Sequence, residues 1–141
     1  MTLLLVRHAS AGDRKAWSGD DALRPLDARG RRQADGLVEL LRGFGPTRVL
    51  SSPSVRCRET VEPLARSLGV AVEGSSELRE GASAEEVRSL ARRLADEVAV
   101  VCTHGDVVEA LLGEESKKGS AWVLRGDGDE LTPAEYVPPP A

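Results

Sequence analysis

Only two histidines occur in this chain of 141 residues, and each stands just after a short apolar run. Arg7-His8 follows Thr2 to Val6, and Thr103-His104-Gly105 follows Val98 to Cys102. A third run, Arg48 to Ser51, leads into Ser52-Pro53-Ser54-Val55-Arg56. If these runs are parallel strands, both histidines, Arg7 and Arg56 meet at one sheet edge. Four potential cations without a carboxylate cage call for an anion with several acceptor oxygens, and phosphate fits best. Each charge-assisted hydrogen bond from an arginine would contribute about 1.5–3 kcal/mol. An imidazole with an ordinary pKa near ~6.5 is largely neutral at neutral pH and can attack phosphorus. The second histidine and the arginines would hold the equatorial oxygens as charge spreads over them. The leaving oxygen needs a proton, for which the loop after Val72 offers Glu77 and Glu80.

Other chemistries fit less well. Two histidines cannot make a three-histidine metal site, and Cys57 and Cys102 give no CxxC spacing, so no metal or cofactor is expected. A cysteine-based phosphatase needs Cys-x5-Arg, and Arg66 lies too far beyond Cys57. Trp17 could stack on a base or simply anchor its loop, and Arg88, Arg92 and Arg93 read as a solvated helix face.

The elements that must position these residues alternate. Thr2 to Val6 reads as a strand buried on both faces. Ala34, Leu37, Val38 and Leu41 form a helical stripe that stops near Gly43 and Gly45. After the Arg48 to Ser51 strand, Ser52-Pro53 suggests a helix cap followed by proline in the first turn. Cys57, Val61, Leu64, Ala65 and Leu68 then share one face up to Gly69. Val70 to Val72 reads as a short strand, Ser83 with Glu86 as a capping box, Val98 to Cys102 as a buried strand and Val107 to Leu112 as a short helix. Ala121 to Leu124 and Leu131 to Val137 flank Gly126-Asp127-Gly128-Asp129 as a hairpin, with Pro133 confining the second arm to an edge. The pattern predicts an α/β fold: a three-layer α/β/α sandwich around a mostly parallel sheet, with ligands bound beyond the carboxyl ends of the strands. Residues 1–137 are expected to form one domain and residues 138–141 a loose Pro-rich tail.

Length and charge agree with this. A chain of this size buries roughly two-thirds of its unfolded surface and needs no disulfides for a core. The net charge of −4, with no basic stripe, argues against nucleic acid as a partner. No apolar run reaches the roughly 18 residues of a membrane span, and MTLLLVRHAS lacks a signal-peptide pattern, so a cytoplasmic location is expected. Lysine occurs only at 15, 117 and 118, the other cations being arginine, whose planar fork suits phosphate.

Leu3-Leu4-Leu5-Val6-Arg7-His8-Ala9 resembles the Arg-His-Gly signature of the histidine phosphatase superfamily, which includes phosphoglycerate mutases. Ser51-Ser52-Pro53-Ser54-Val55-Arg56-Cys57-Arg58-Glu59-Thr60 is similar to its second motif and Cys102-Thr103-His104-Gly105 to its third. Arg24-Pro25-Leu26, with Gly30 and Gln33-Ala34, resembles the SixA-type small branch. The resemblance implies a phosphoglycerate mutase-like fold and a metal-independent phosphatase. His8 would be the nucleophile, Arg7, Arg56 and His104 would complete the phosphate pocket, and Glu80 would be the proton donor. Arg14 and Arg24 lie in the segment expected to cover the pocket and are candidate substrate contacts. Ala9 stands where the family has glycine and implies a turn that tolerates a Cβ.

Ser18-Gly19-Asp20-Asp21 to Leu26-Asp27, Cys57 to Ala65 and Lys118 to Leu124 also resemble the histidine phosphatase domain found behind a Nudix hydrolase domain in some actinobacterial proteins. No Nudix box is present: Arg58-Glu59-Thr60-Val61-Glu62 lacks the preceding glycine and glutamate and runs into Pro63. The implied partners are a phosphorylated small molecule, a nucleotide or a phosphohistidine protein. The short loops suggest a shallow, open pocket. The alternative is a non-catalytic phosphate- or nucleotide-binding module.

Overall fold

The computed structural model describes every residue except Ala95, Gly128 and Ala141. Gly128 of the expected hairpin turn and Ala141 of the expected tail therefore lie outside the described residues.

Among the described residues, six strands form one sheet: β1 (Thr2–Arg7), β2 (Arg48–Ser51), β3 (Val72–Gly74), β4 (Val98–Thr103), β5 (Ala121–Gly126) and β6 (Leu131–Val137). Their order is β3-β2-β4-β1-β5-β6. The pairs β2–β3, β2–β4 and β1–β4 are parallel, while β5 runs antiparallel to both β1 and β6. Among the described residues, four α-helices connect them: α1 (Ala28–Arg42), α2 (Val55–Leu68), α3 (Ala84–Arg93) and α4 (Gly105–Leu112).

Side chains alternate across the continuous apolar strands, so each strand feeds two cores. Leu4, Val6, Val49 and Val100 pack with Leu37 and Leu41 of α1 and Val61 and Leu64 of α2. Leu3, Leu5, Leu50 and Val101 pack with Leu90 and Ala91 of α3 and Val108 of α4. The result is the expected three-layer α/β/α sandwich. Burying a leucine on either face contributes roughly 1.5–3 kcal/mol.

Local departures have local causes. β3 begins at Val72 rather than Val70 because the Val70 N–H closes α2 onto Ala65 O (3.0 Å) after left-handed Gly69. Ser54, not Ser52, occupies the N-cap of α2, and its side chain makes no capping bond. The Ser83–Glu86 capping box forms as expected. β6 is an edge strand, with a register shift beside Pro133. Within the segment expected as a loose tail, Pro140 lies against α1 at Gly36, where an added Cβ would stand 2.5 Å from the Pro140 ring. Among the described residues, no helix is long and apolar enough to cross a membrane.

Candidate active site

Parallel pairing sets three strand ends side by side. Arg7 is level with Thr103, and Ser51 with Cys102. Beyond the strands, the His8 N–H donates to Thr103 O (3.0 Å) and the Ser52 N–H to Cys102 O (2.9 Å). His8 and His104 meet edge to face, with ring centroids 5.5 Å apart. A cavity of about 780 Å³ opens here, lined by Arg7, His8, Arg14, Arg24, Glu80 and His104 among others. Residues 12–14 and Arg24 line it on one side, and Glu115, Ser116 and Lys118 on another. Arg56, buried behind this lining, places its guanidinium against His104. All seven sequence-predicted site residues therefore converge.

His8 is held as a neutral imidazole. Its Nδ1 lies 2.9 Å from Ala9 O, which can only accept, so Nδ1 carries the proton and Nε2 keeps its lone pair. Burial lowers the pKa of His8 to about 3. The Ala9 bond opposes that shift, whereas His104, Arg56 and Arg7 add to it. The Ala9 N–H in turn donates to Thr60 Oγ1 (2.9 Å), and the Thr60 hydroxyl donates to Arg56 O (2.7 Å). Thr60 thus ties the His8–Ala9 turn to α2. No described non-glycine residue has positive φ, so Ala9 fits its turn without strain.

His104 is fixed from both ring nitrogens. Arg56 Nη2, a donor only, lies 3.4 Å from Nδ1, which leaves the ring proton on Nε2 to be donated to Ser52 Oγ (2.9 Å). Cys57 Sγ is 3.5 Å from Nε2, and Cys57 is otherwise core, as its helical position implies.

The arginines differ in their anchoring. Arg7 donates through Nη1 to Ser116 O and lies flat against Gly105, where any Cβ would stand 2.7 Å from Arg7 Cζ. Glycine at the first position of α4 makes room for the guanidinium. Arg56 donates through Nη1 to Asp21 O (2.8 Å), and its Nη2 faces Asp21 Oδ2 (3.1 Å) and Glu80 Oε2 (3.3 Å). Arg7 Nε and Arg56 Nε are buried N–H groups without a partner. Unsatisfied buried donors of this kind cost about 1–3 kcal/mol each and mark a site built for a ligand's acceptors.

The two glutamates separate. Glu80 Oε2 lies 2.6 Å from Arg14 Nη2 and 3.8 Å from His104 Nδ1, inside the cavity. Glu77 instead pairs with Arg93 on α3 and lies away from the site. Arg24 is a brace as well as a lining residue: it bonds Ala11 O (2.5 Å) and Asp21 Oδ1 (3.0 Å) and is 6% exposed. Trp17 anchors its loop through Nε1 to Asp20 O (3.0 Å).

The motif reading assigned no role to Ser52, Asp21, Thr60 or Lys118. Ser52 looked like a helix cap, but its hydroxyl serves His104. Asp21 sits on a short 3-10 turn, Asp21–Leu23, and contacts Arg14, Arg24 and Arg56. A pair of aspartates in a polar loop that must cover an arginine-rich pocket is the signal that could have singled it out.

Comparison with known proteins agrees with the geometry. The chain is 39% identical to an 8-oxo-(d)GTP phosphatase of Mycolicibacterium smegmatis, over 99% of its own length and 48% of that protein's. It therefore spans about half the length of that curated relative. Among solved structures it is similar to the protein histidine phosphatase SixA complexed with tungstate (TM-score 0.82, 22% identity, covering 99% of this chain and 97% of that one). It is also similar to a mycobacterial glucosyl-3-phosphoglycerate phosphatase (TM-score 0.74, 19% identity, 98% of both chains). These two likenesses establish a shared fold. Residues 3–85 match the sequence profile of the histidine phosphatase superfamily, branch 1, which takes in both the His8 and the Arg56 motifs. By that match this chain belongs to the histidine phosphatase superfamily.

Proposed function

We propose that the chain is a metal-independent phosphatase working through a phosphohistidine on His8. The observation that carries this reading is a neutral imidazole with a free Nε2 in a cavity lined by Arg7 and His104, with the Arg56 guanidinium directly behind His104. His8 Nε2 attacks phosphorus and the bond to the leaving oxygen breaks. Glu80 gives that oxygen a proton. Water then attacks the phosphohistidine, Glu80 takes a proton back, and inorganic phosphate leaves. Arg7 and Arg56 hold the equatorial oxygens through both transfers, where charge-directed donors have most effect, joined by His104 once the bound anion draws a second proton onto its Nδ1.

Among substrates, the reading favours a phosphorylated nucleotide over a phosphohistidine protein. A cavity of about 780 Å³ accommodates a nucleotide-sized ligand, and the mycobacterial relative is named for nucleotide hydrolysis. Arg14 and Arg24 would face the substrate from the covering segment. We place this activity in one domain, residues 1–137, acting in the cytoplasm. The test is phosphate release from p-nitrophenyl phosphate and from nucleotides in excess EDTA. Turnover should persist in the chelator and vanish in His8→Ala. Tight binding of the same compounds without hydrolysis would favour a binding module.

A further inference from the structure

One cation of the cavity is given no role by the phosphohistidine reading above. Lys118 lines the cavity with Arg7, His8 and Arg24. Its position is set by its neighbours. The Gly119 N–H donates to both Arg7 O and His8 O (3.1 Å each), and Gln33 Nε2 donates to Lys118 O (3.4 Å). Gly119 makes this approach with φ at +83°, and a Cβ there would stand 3.1 Å from the Gln33 side chain. The 113–120 segment is thereby pinned onto the nucleophile turn.

The basic groups of the cavity are unequally engaged. Arg14, Arg24 and Arg56 are paired with Asp21 or Glu80. Among the described residues, Lys118 has no carboxylate within ion-pair distance. Burial and the like charges of Arg7, Arg24 and Arg14 lower its pKa, with Asp27 only partly opposing them. An ammonium held among guanidiniums is stabilised most by a second multiply charged anion beside the first.

We propose that Lys118, with Arg24, forms a subsite for a second phosphoryl group joined to the one that goes to His8, making diphosphates the preferred substrates. This rests on the phosphohistidine reading above. His8 Nε2 attacks the terminal phosphorus, and the bond from that phosphorus to the bridging oxygen breaks. The remaining phosphate monoester leaves with the bonding pair, and water then releases inorganic phosphate from His8. Such a leaving group carries the charge on its own oxygens and needs no proton from a side chain. Glu80, engaged by Arg14 and Arg56, is then dispensable for departure.

The test compares ADP with AMP, which differ by one phosphoryl group, using 3-phosphoglycerate as a carboxylate-bearing probe and p-nitrophenyl phosphate as control. The wild-type chain should prefer ADP to AMP by at least about tenfold in kcat/KM. Lys118→Met should cut that preference about tenfold, through KM, and Lys118→Arg should restore most of it. Equal losses on ADP and AMP, or an unchanged preference, would overturn the subsite. A loss confined to 3-phosphoglycerate would overturn it in favour of a carboxylate site. Absence of turnover on every compound, the control included, would refute the phosphatase reading itself.

Discussion

His8 owes its proposed role to surroundings that suppress its charge. Its folded pKa of about 3 lies below the ordinary value of 6.5, so between these pH values the unfolded chain binds the proton and the folded chain does not. Stability therefore falls as pH drops from about 6.5 towards 3. In acid unfolding titrations, His8→Asn should lose stability less steeply than wild type through this window. An equal slope would contradict the protonation state drawn here. Ser52 acts one step removed, by accepting from His104 Nε2. Ser52→Ala should cost about 1 kcal/mol in stability, the usual worth of a lost hydrogen bond. It should also lower kcat roughly tenfold with little change in KM, because His104 loses its orientation rather than its presence. A rise in KM alone would mean that Ser52 positions nothing used in the transition state.

At the scale of elements, the site depends on α4 starting immediately after His104. Gly105 lets Arg7 lie against the first turn of that helix, at the positive end of its dipole, where an anion is favoured. Gly105→Ala should push the guanidinium aside and raise KM for p-nitrophenyl phosphate about tenfold. The helix itself should survive, since alanine is the better helix former. Steady-state kinetics beside a thermal melt would separate the two effects, and an unchanged KM would remove Arg7 from phosphate binding. These elements were largely legible in the sequence. Continuous apolar runs announced buried strands, and periodic stripes announced helices. The histidines and arginines at the run ends then fell together by parallel topology alone. Less legible were groups whose partners come from distant segments. Ser52 offered the pattern of a helix cap, and nothing local shows that its partner is His104, 52 positions on. Lys118 lies in a polar loop whose placement follows only from Gly119 bonding back to the His8 turn.

For the whole molecule, the sheet order brings β1, β2 and β4 together, and two irregular segments wall in their ends. One supplies Arg14, Asp21 and Arg24, and the other Ser116 and Lys118. Residue pairs across this enclosure, Arg14 with Glu80 and Asp21 with Arg56, link the covering segment to the site. The sequence placed that segment over the pocket from its position between the first strand and helix. Its ion pairs depend on three-dimensional approach and were not readable. The central claim is a covalent phosphoryl group on His8. It is tested most directly by mixing the chain with a 32P-labelled phosphoester, quenching within milliseconds and mapping the label by mass spectrometry. An acid-labile, alkali-stable phosphoramidate on His8 should form before phosphate release and be absent from His8→Ala. Label on another residue, or phosphate release with no labelled protein at any time, would contradict it.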